Sequence, residues 1–477
     1  MENRAGAVYL PGVIRLLLFL PAVALAGNSL SNPGFEDWSN DSAPSGMSGP
    51  ARVLIDDAFF GITFEQDTYK LWFAQDSIAD RLVDYFGRAQ ASIDYCCYNS
   101  TRPDVVQALL DARGRGVEVR VITEDSRLDD PWVAQLRSAG IPVWSDSIGP
   151  NSSWLMHNKF AVRDARDADT TDDRVWAASY NPNDGELRAD FALELPMPGL
   201  ARAYTTEFEQ MWGGSGMTPR PESSEFHNGK TDRLATHRFE LDGYPVRVYF
   251  SPQNRPVDTV AALVSRAQKH VLFGVLTLTH DGVGDAMVER WQHSVWVGGV
   301  IDRSGINNQG SEYPKLIGVG IPVYEDSVPF GEKMIHEKLG VIDSSLVICG
   351  SVNWSGNGNE NNDEHMLVIE HPTIARKFLA ELSQRFWEAT HPGIEESRRE
   401  SREQRAVRGP SLARSFEHLP KGAVVMDAQG RKVVERSRLA TGVYFVFADL
   451  GHDPISENGN GSCPASGYVP RRVVIVR

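Results

Sequence analysis

The sequence predicts an α/β fold: a duplicated α/β/α sandwich domain with pseudo-twofold symmetry, plus a small C-terminal β domain. Three observations carry that prediction. Short apolar runs alternate with amphipathic helical patterns, which is how a sheet covered by helices is written. The whole series occurs twice. Each series closes on one phrase, His-x-Lys-x4-Asp and then small-Ser-x-Asn: His157, Lys159, Asp164, Ser179 and Asn181 in the first copy, His336, Lys338, Asp343, Ser351 and Asn353 in the second. The period, about 180 residues, is too long for a solenoid and suits two packed domains.

The elements follow in order. Residues 1–26 read as a signal peptide: Arg4 and Arg15 supply positive charge, residues 16–26 are apolar, and Ala24-Leu25-Ala26 is a small-x-small cleavage site. That apolar run is too short to span a bilayer. Residues 27–65, rich in Ser, Asn, Gly and Pro at the start, read as a linker. The first repeat occupies 66–213 and the second 244–392, joined by a polar linker at 214–243. Each repeat opens on a strand, at 69–73 and 245–250. A helical pattern follows, Ile78, Leu82, Val83 and Phe86 against Val260, Leu263, Val264 and Ala267. Apolar strands at 91–95 and 270–274 come next, then a second helix and strand, then the paired Gly-Ile-Pro-Val runs at 140–143 and 320–323. The motifs follow, and an amphipathic helix ending in Trp212 or Trp387 closes each copy. A charged linker covers 393–410, and residues 411–477 are β-rich.

Composition is that of a globular chain of 477 residues, with 41% hydrophobic and 23% charged residues. The formal net charge of -15 opposes binding of nucleic acid or anionic membrane by the surface at large, though not in a local basic cleft. Of the four cysteines, Cys96, Cys97 and Cys349 sit in apolar strands and read as buried thiols, and Cys463 lies in the tail. No metal-ligand spacing is present.

The chemistry follows from strand periodicity. In His-x-Lys the two basic groups share one face of a strand, and Ser and Asn of the second segment share one face of a neighbour. Each copy can therefore turn an imidazole, an ammonium, a hydroxyl and an amide to one spot. Phosphodiester cleavage requires a nucleophile, an acid for the leaving oxygen and positive charge on the non-bridging oxygens. Two such copies supply all three, with no cofactor or divalent ion required. Asp190 and Glu364, each just ahead of an apolar strand, are the acids expected to hold the imidazoles in one tautomer. Asp164 and Asp343 complete the motif and read mainly as acceptors fixing the turn after the strand.

At this point the chain resembles the phospholipase D superfamily, marked by the repeated His-Lys-Asp motif, over roughly residues 66–390. The resemblance implies metal-independent hydrolysis or transphosphatidylation through a phosphohistidine, with His157 as nucleophile and His336 as acid/base; the spacing itself leaves that order open. The first copy departs from the pattern, with Ala178 in place of the usual Gly and a longer polar loop before it. The tail (424–431, 439–445 and 472–477) resembles the sorting domain of type IX secretion cargo, which implies an exported bacterial protein and contact with secretion machinery. The leading expectation is a phospholipase D-type phosphodiesterase acting on phospholipid, in contact with a membrane surface through a cleft rimmed by Trp154, Tyr180 and Trp354. A secreted nuclease using Arg113, Arg115 and Arg120, and a surface-binding module with a dead site, are the alternatives. One chain holds both motifs, so no oligomer is required.

Overall fold

The computed structural model describes residues 68–183, 188–326 and 334–390, together with the backbone of three tail strands. The expected signal peptide, N-terminal linker and charged linker lie outside the described residues. The first sheet takes its strands in the order β1 (Lys70–Phe73), β8 (Phe191–Leu195), β6 (Arg174–Ala178), β5 (Lys159–Arg163), β2 (Ser92–Cys97), β3 (Glu118–Thr123), β4 (Val143–Ser145). The second runs β13 (Val323–Asp326), β12 (Trp296–Asp302), β11 (His270–Val275), β15 (Lys338–Ile342), β16 (Leu346–Gly350), β17 (Glu364–Ile369), β10 (Tyr244–Ser251), β9 (Arg238–Leu241). Apart from β9, the two orders superpose strand for strand. β2, β3 and β4 are parallel, as are β11, β12 and β13, and the remaining pairs are antiparallel.

Local sequence explains the helices. Helix Ile78–Gly87 buries Ile78, Leu82, Tyr85 and Phe86, one stripe at i, i+4, i+7, i+8. Pro103, Pro131, Pro198, Pro256 and Pro372 each open a helix, where a missing N–H costs nothing. Helix Pro198–Trp212 stops at Gly213, whose φ of 84° and approach to Arg220 leave no room for a Cβ. Strands of both sheets are buried on both faces, so they read as continuous apolar runs.

One shared core joins the halves. Helices Pro198–Trp212 and Pro372–Thr390 both lie in it, between the sheets. Phe378 of the second helix packs edge-on against Phe73 and Phe191 of the first half. Tyr204 of the first helix packs against Phe250 of the second half, with ring centroids 5.1 Å apart. Separate cores fill the outer face of each sheet.

The stretch 214–243 corrects the expectation of a plain polar linker. Its Arg238–Leu241 segment is strand β9, and Phe226, His227 and Lys230 are buried. Cys96, Cys97 and Cys349 are free and buried, and burial pushes the Cys97 thiol up to about 12. In the tail, Val424–Asp427 (β18), Gly442–Phe447 (β19) and Pro470–Val476 (β20) form an antiparallel three-stranded sheet belonging to a separate unit.

Candidate active site

His157 and His336 stand at the entry to β5 and β15, beside the carboxyl ends of β2 and β11. That end of a mixed α/β sheet is where ligands bind as a rule. In the first sheet β6 separates β8 from β5, so Asp190, at the start of β8, stands two strand spacings from His157. At ~4.8 Å per spacing that is beyond hydrogen-bonding reach. The second sheet repeats the arrangement with Glu364 and His336.

The acids are used crosswise. The segment before His336 (β14, Met334–Ile335) pairs in parallel with β7 (Arg188–Ala189) of the first half, and the His336 N–H donates to the Ala189 carbonyl at 3.0 Å. On the other side Met156 bridges Asp363 in parallel, and the His157 N–H donates to the Asp363 carbonyl at 2.9 Å. These registers set each acid beside the opposite histidine. His336 Nδ1 lies 2.8 Å from Asp190 Oδ1, and His157 Nδ1 lies 2.8 Å from both oxygens of Glu364. With Nδ1 donating to a carboxylate, each Nε2 keeps its lone pair.

The lysines close the cluster. Lys159 Nζ donates to the His157 carbonyl at 2.8 Å, and Lys338 Nζ to that of His336. Burial pushes His157 down to about 4, with Lys159 and Lys338 adding to the shift against Glu364. Burial pushes His336 down to about 3, aided by Lys338 and Lys159 against Asp190. Each imidazole thus feels the ammonium of both halves, so the two motifs share one site. Burial raises the Asp190 carboxyl, but His336, Ser179 and Lys338 more than reverse that, and it sits below the usual range.

Sequence-predicted residues divide into three groups. His157, Lys159, His336, Lys338, Asp190 and Glu364 come together. Asn181 and Asn353 lie just past β6 and β16, the strands next to β5 and β15, each with a buried Oδ1 that has no hydrogen-bond partner. Ser179 and Ser351 are fully buried and serve the frame: Ser179 Oγ donates to Asp190 Oδ1 at 2.6 Å, and Ser351 Oγ accepts from the His365 N–H at 3.0 Å. The Ala178 departure is accommodated opposite Ala192, whereas a Cβ on Gly350 would meet the His365 carbonyl at 2.3 Å.

Asp164 and Asp343 are removed from the catalytic set. They follow β5 and β15, on the order of 20 Å along an extended chain from the histidines. Asp164 Oδ1 accepts the N–H groups of Gln90, Ala91 and Ser92, and the Asp343 carboxylate those of Gln268, Lys269 and His270. Both residues have positive φ, which Asp tolerates better than most. Asp343→Ala is therefore expected to lower stability by ~1–3 kcal/mol through orphaned donors, with activity per folded molecule retained. Urea unfolding beside an assay normalised to folded protein checks this, and loss of turnover in a fully folded variant would return Asp343 to the site.

Two further expectations change. Trp354 is fully buried against Phe273 and Gly340, so it packs the core and rims no cleft. Arg120 is buried and paired with Asp94 at 2.6 and 2.7 Å, which removes it from any basic groove. Sequence reasoning also missed residues. Tyr98 lies edge-on to His157 at 5.4 Å, with the Lys159 ammonium 5.6 Å from its ring. Its signal was its place at the end of β2. Glu124, Asp125 and Asp146 bring one oxygen each within 4.8 Å of one another. Glu124 and Asp146 both accept from the Met156 N–H, at 2.8 and 3.0 Å.

The buried histidines give an acid-stability prediction. His157 and His270 are pushed down to about 4, and His336 and His365 to about 3, burial being the first cause in each. The unfolded chain takes up these protons near 6.5 and the folded chain does not. The imidazoles' share of the stability therefore falls as pH drops from about 6.5 toward 4, by on the order of 1.4 kcal/mol per pH unit for each. Burial raises the carboxyl of Glu124 to about 9 and those of Asp173 and Asp326 to about 6, and these act in the opposite direction over the same range. The parent's urea midpoint should therefore change less favourably on going from pH 7 to pH 5 than that of His365→Asn, which lacks one of these imidazoles, and an equal change in the two contradicts the assignment.

Comparison with known proteins fits this geometry. The family profile described as "Cardiolipin synthase, PLD-like domain" matches residues 82–212 and 260–387, which is more than half of the chain. The mitochondrial cardiolipin hydrolase of Xenopus tropicalis is 33% identical over 141 residues, which cover 29% of this chain and 62% of that protein. A phospholipase D of Rickettsia conorii is 25% identical over 140 residues, covering 29% of this chain and 68% of that protein. The solved phosphatidylserine synthase of Haemophilus influenzae superposes with a TM-score of 0.52 at 11% identity, over 67% of this chain and 86% of that one, and so shares the fold. The chain belongs to the family of PLD-like domains, and carries two copies of that domain.

Proposed function

We propose that this chain is a phosphodiesterase that cleaves phospholipid through a phosphohistidine. The observation that carries the reading is the crossed pair of buried histidine–carboxylate contacts, each imidazole lying within the field of both lysines. His157 is the nucleophile and His336 the acid/base in this reading. The Nε2 lone pair of His157 attacks phosphorus, forming P–N as the P–O bond to the leaving group breaks. The leaving oxygen takes the proton from His336 Nε2, whose protonated form the phosphate anion stabilises on arrival. His336 then draws a proton from water, the water oxygen attacks phosphorus, and P–N breaks. Lys159 and Lys338, with the amides of Asn181 and Asn353, hold the non-bridging oxygens. A carboxylate–imidazole pair with this tautomer needs no metal for these steps.

Phospholipid is favoured as substrate by two observations. The curated relatives are named as a cardiolipin hydrolase and a phospholipase D, although the first spans only 62% of its own length in the match. The net charge of -15 and the burial of Arg120 work against a nucleic-acid groove. The same reading takes the protein out of the cytoplasm to the bacterial surface or medium, on the strength of the apolar run 16–26 and the sorting-like tail. No helix among the described residues is long and apolar enough to cross a membrane.

The test is a substrate panel with chelator present: vesicles of cardiolipin, vesicles of phosphatidylcholine, and single-stranded DNA. Release of head group or phosphatidic acid supports the reading. Cleavage of DNA alone replaces it by the nuclease reading, and cleavage of nothing by a binding module.

A further inference from the structure

We propose that His227, from the stretch between the two halves, is a positioning residue that fixes the His157–Glu364 pair. This rests on the reading of His157 as a reacting group. His227 is 1% exposed and sits between two carboxylates from opposite halves. Its Nδ1 is 3.0 Å from Asp363 Oδ2, and its Nε2 is 3.2 Å from Asp146 Oδ2. Its backbone N–H donates to Asp363 Oδ1 at 2.8 Å.

Those two acids hold the residues that precede the pair. Asp146 Oδ2 accepts the N–H of Met156, the neighbour of His157. Asp363 is the neighbour of Glu364, and its main chain bonds Leu155 and His157 at 2.9 Å each. One imidazole therefore ties together the two strand ends on which His157 and Glu364 are mounted. Lys230 reinforces it, lying 2.8 Å from Asp363 Oδ1 and bonding Glu207 and the Ser251 carbonyl.

The site around the ring is closed. Trp154 packs edge-on at 5.8 Å, and a Cβ on Gly149 would come within 2.7 Å of the imidazole. Burial alone would make His227 less basic, but Asp363 and Asp146 more than reverse it, raising it to about 9. The ring is a cation at neutral pH facing Asp146 and Asp363, with Glu124, Asp125, Lys230 and Glu207 in the next contacts.

Among the described residues the other pair is tied without a bridging histidine. The positions matching Met156 and Asp363 are Ile335 and Ala189. The Ile335 N–H donates to the Asp326 carboxylate, much as that of Met156 donates to Asp146, but Ala189 brings no second carboxylate for a cation to bridge, and the β7–β14 pairing joins the two segments. The two dyads are thus held by different means, which makes the clamp testable on one while the other serves as the internal standard.

The experiment is proton NMR of the Nδ1–H groups hydrogen-bonded to Glu364 and Asp190, assigned with His157→Asn and His336→Asn, on the full chain. In His227→Gln the resonance of His157 is expected to disappear or move upfield, while that of His336 stays in place. Turnover of the best substrate should fall at least ~10-fold in kcat with KM nearly unchanged. Arg88→Gln, which removes a two-point contact to Glu194 away from the site, controls for stability loss and should leave both resonances. Should His227→Gln not fold, Asp146→Asn gives the same readout. Retention of the His157 resonance in a folded variant, or equal loss of both, overturns the proposal. A selective change at His157 in a protein that cleaves no phosphodiester would keep the clamp and discard the function.

Discussion

Removal of either imidazole is expected to abolish cleavage, by at least ~10³-fold, since each supplies a step that nothing else in the site can supply. His157 contributes the lone pair that forms the P–N bond. His336 contributes the proton that the leaving alkoxide requires. The lysines cannot stand in as nucleophile or as the base that takes a proton from water, because an ammonium has no lone pair. Alanine at position 157 would also leave Glu364 buried without its partner, at a cost of ~3–5 kcal/mol if the acid stays ionised. Asparagine is the better probe, because its amide can still donate to Glu364. Loss of turnover in a folded His157→Asn chain, by circular dichroism and urea midpoint, is the expected result. Either variant working within ~10-fold of the parent would end the two-imidazole mechanism.

Neutralising one acid should disable the histidine of the opposite half. In Asp190→Asn the amide favours the wrong tautomer of His336, with Nδ1 accepting and Nε2 protonated, so the ring can no longer take a proton from water. A loss on the order of 10²-fold or more follows. The phenotype identifies the partner. With an aryl phosphodiester the leaving phenolate needs no proton, so attack by His157 proceeds and breakdown stalls. Asp190→Asn and His336→Asn, quenched in denaturant at alkaline pH where the P–N bond survives, should therefore both carry phosphoryl on His157, found by mass spectrometry of the peptide. Glu364→Gln should slow its formation instead. Asp190→Asn behaving like a His157 variant would refute the crossed assignment.

The sequence was most informative where periodicity and duplication act together. Alternation placed His157 with Lys159 and His336 with Lys338, because a strand repeats every second residue whatever surrounds it. Duplication aligned seven strands of one sheet with seven of the other. Asp190 and Glu364 were visible as acids ahead of apolar strands. Their crossed use was not, because strand order, with β6 lying between β8 and β5, is a property of the sheet.

The serines and the motif aspartates show the converse. Spacing groups Ser179, Ser351, Asp164 and Asp343 with the histidines, yet spacing is blind to which groups already have partners. Three backbone N–H groups at each turn claim Asp164 and Asp343. Asp190 claims Ser179. His227 stood in a stretch with no helix or strand period, so its composition suggested solvent. It is buried because Asp146 and Asp363, 81 residues before it and 136 after, meet there.

By itself the sequence determined the duplicated α/β architecture and the chemical types brought to the site. Those depend on local period and on one copy repeating the other. Only the tertiary structure decided which acid serves which histidine, which motif residues merely hold turns, and how the segment between the halves enters the site. Each of these depends on contacts between segments far apart in the chain, and burial and hydrogen-bond satisfaction in three dimensions fix such contacts.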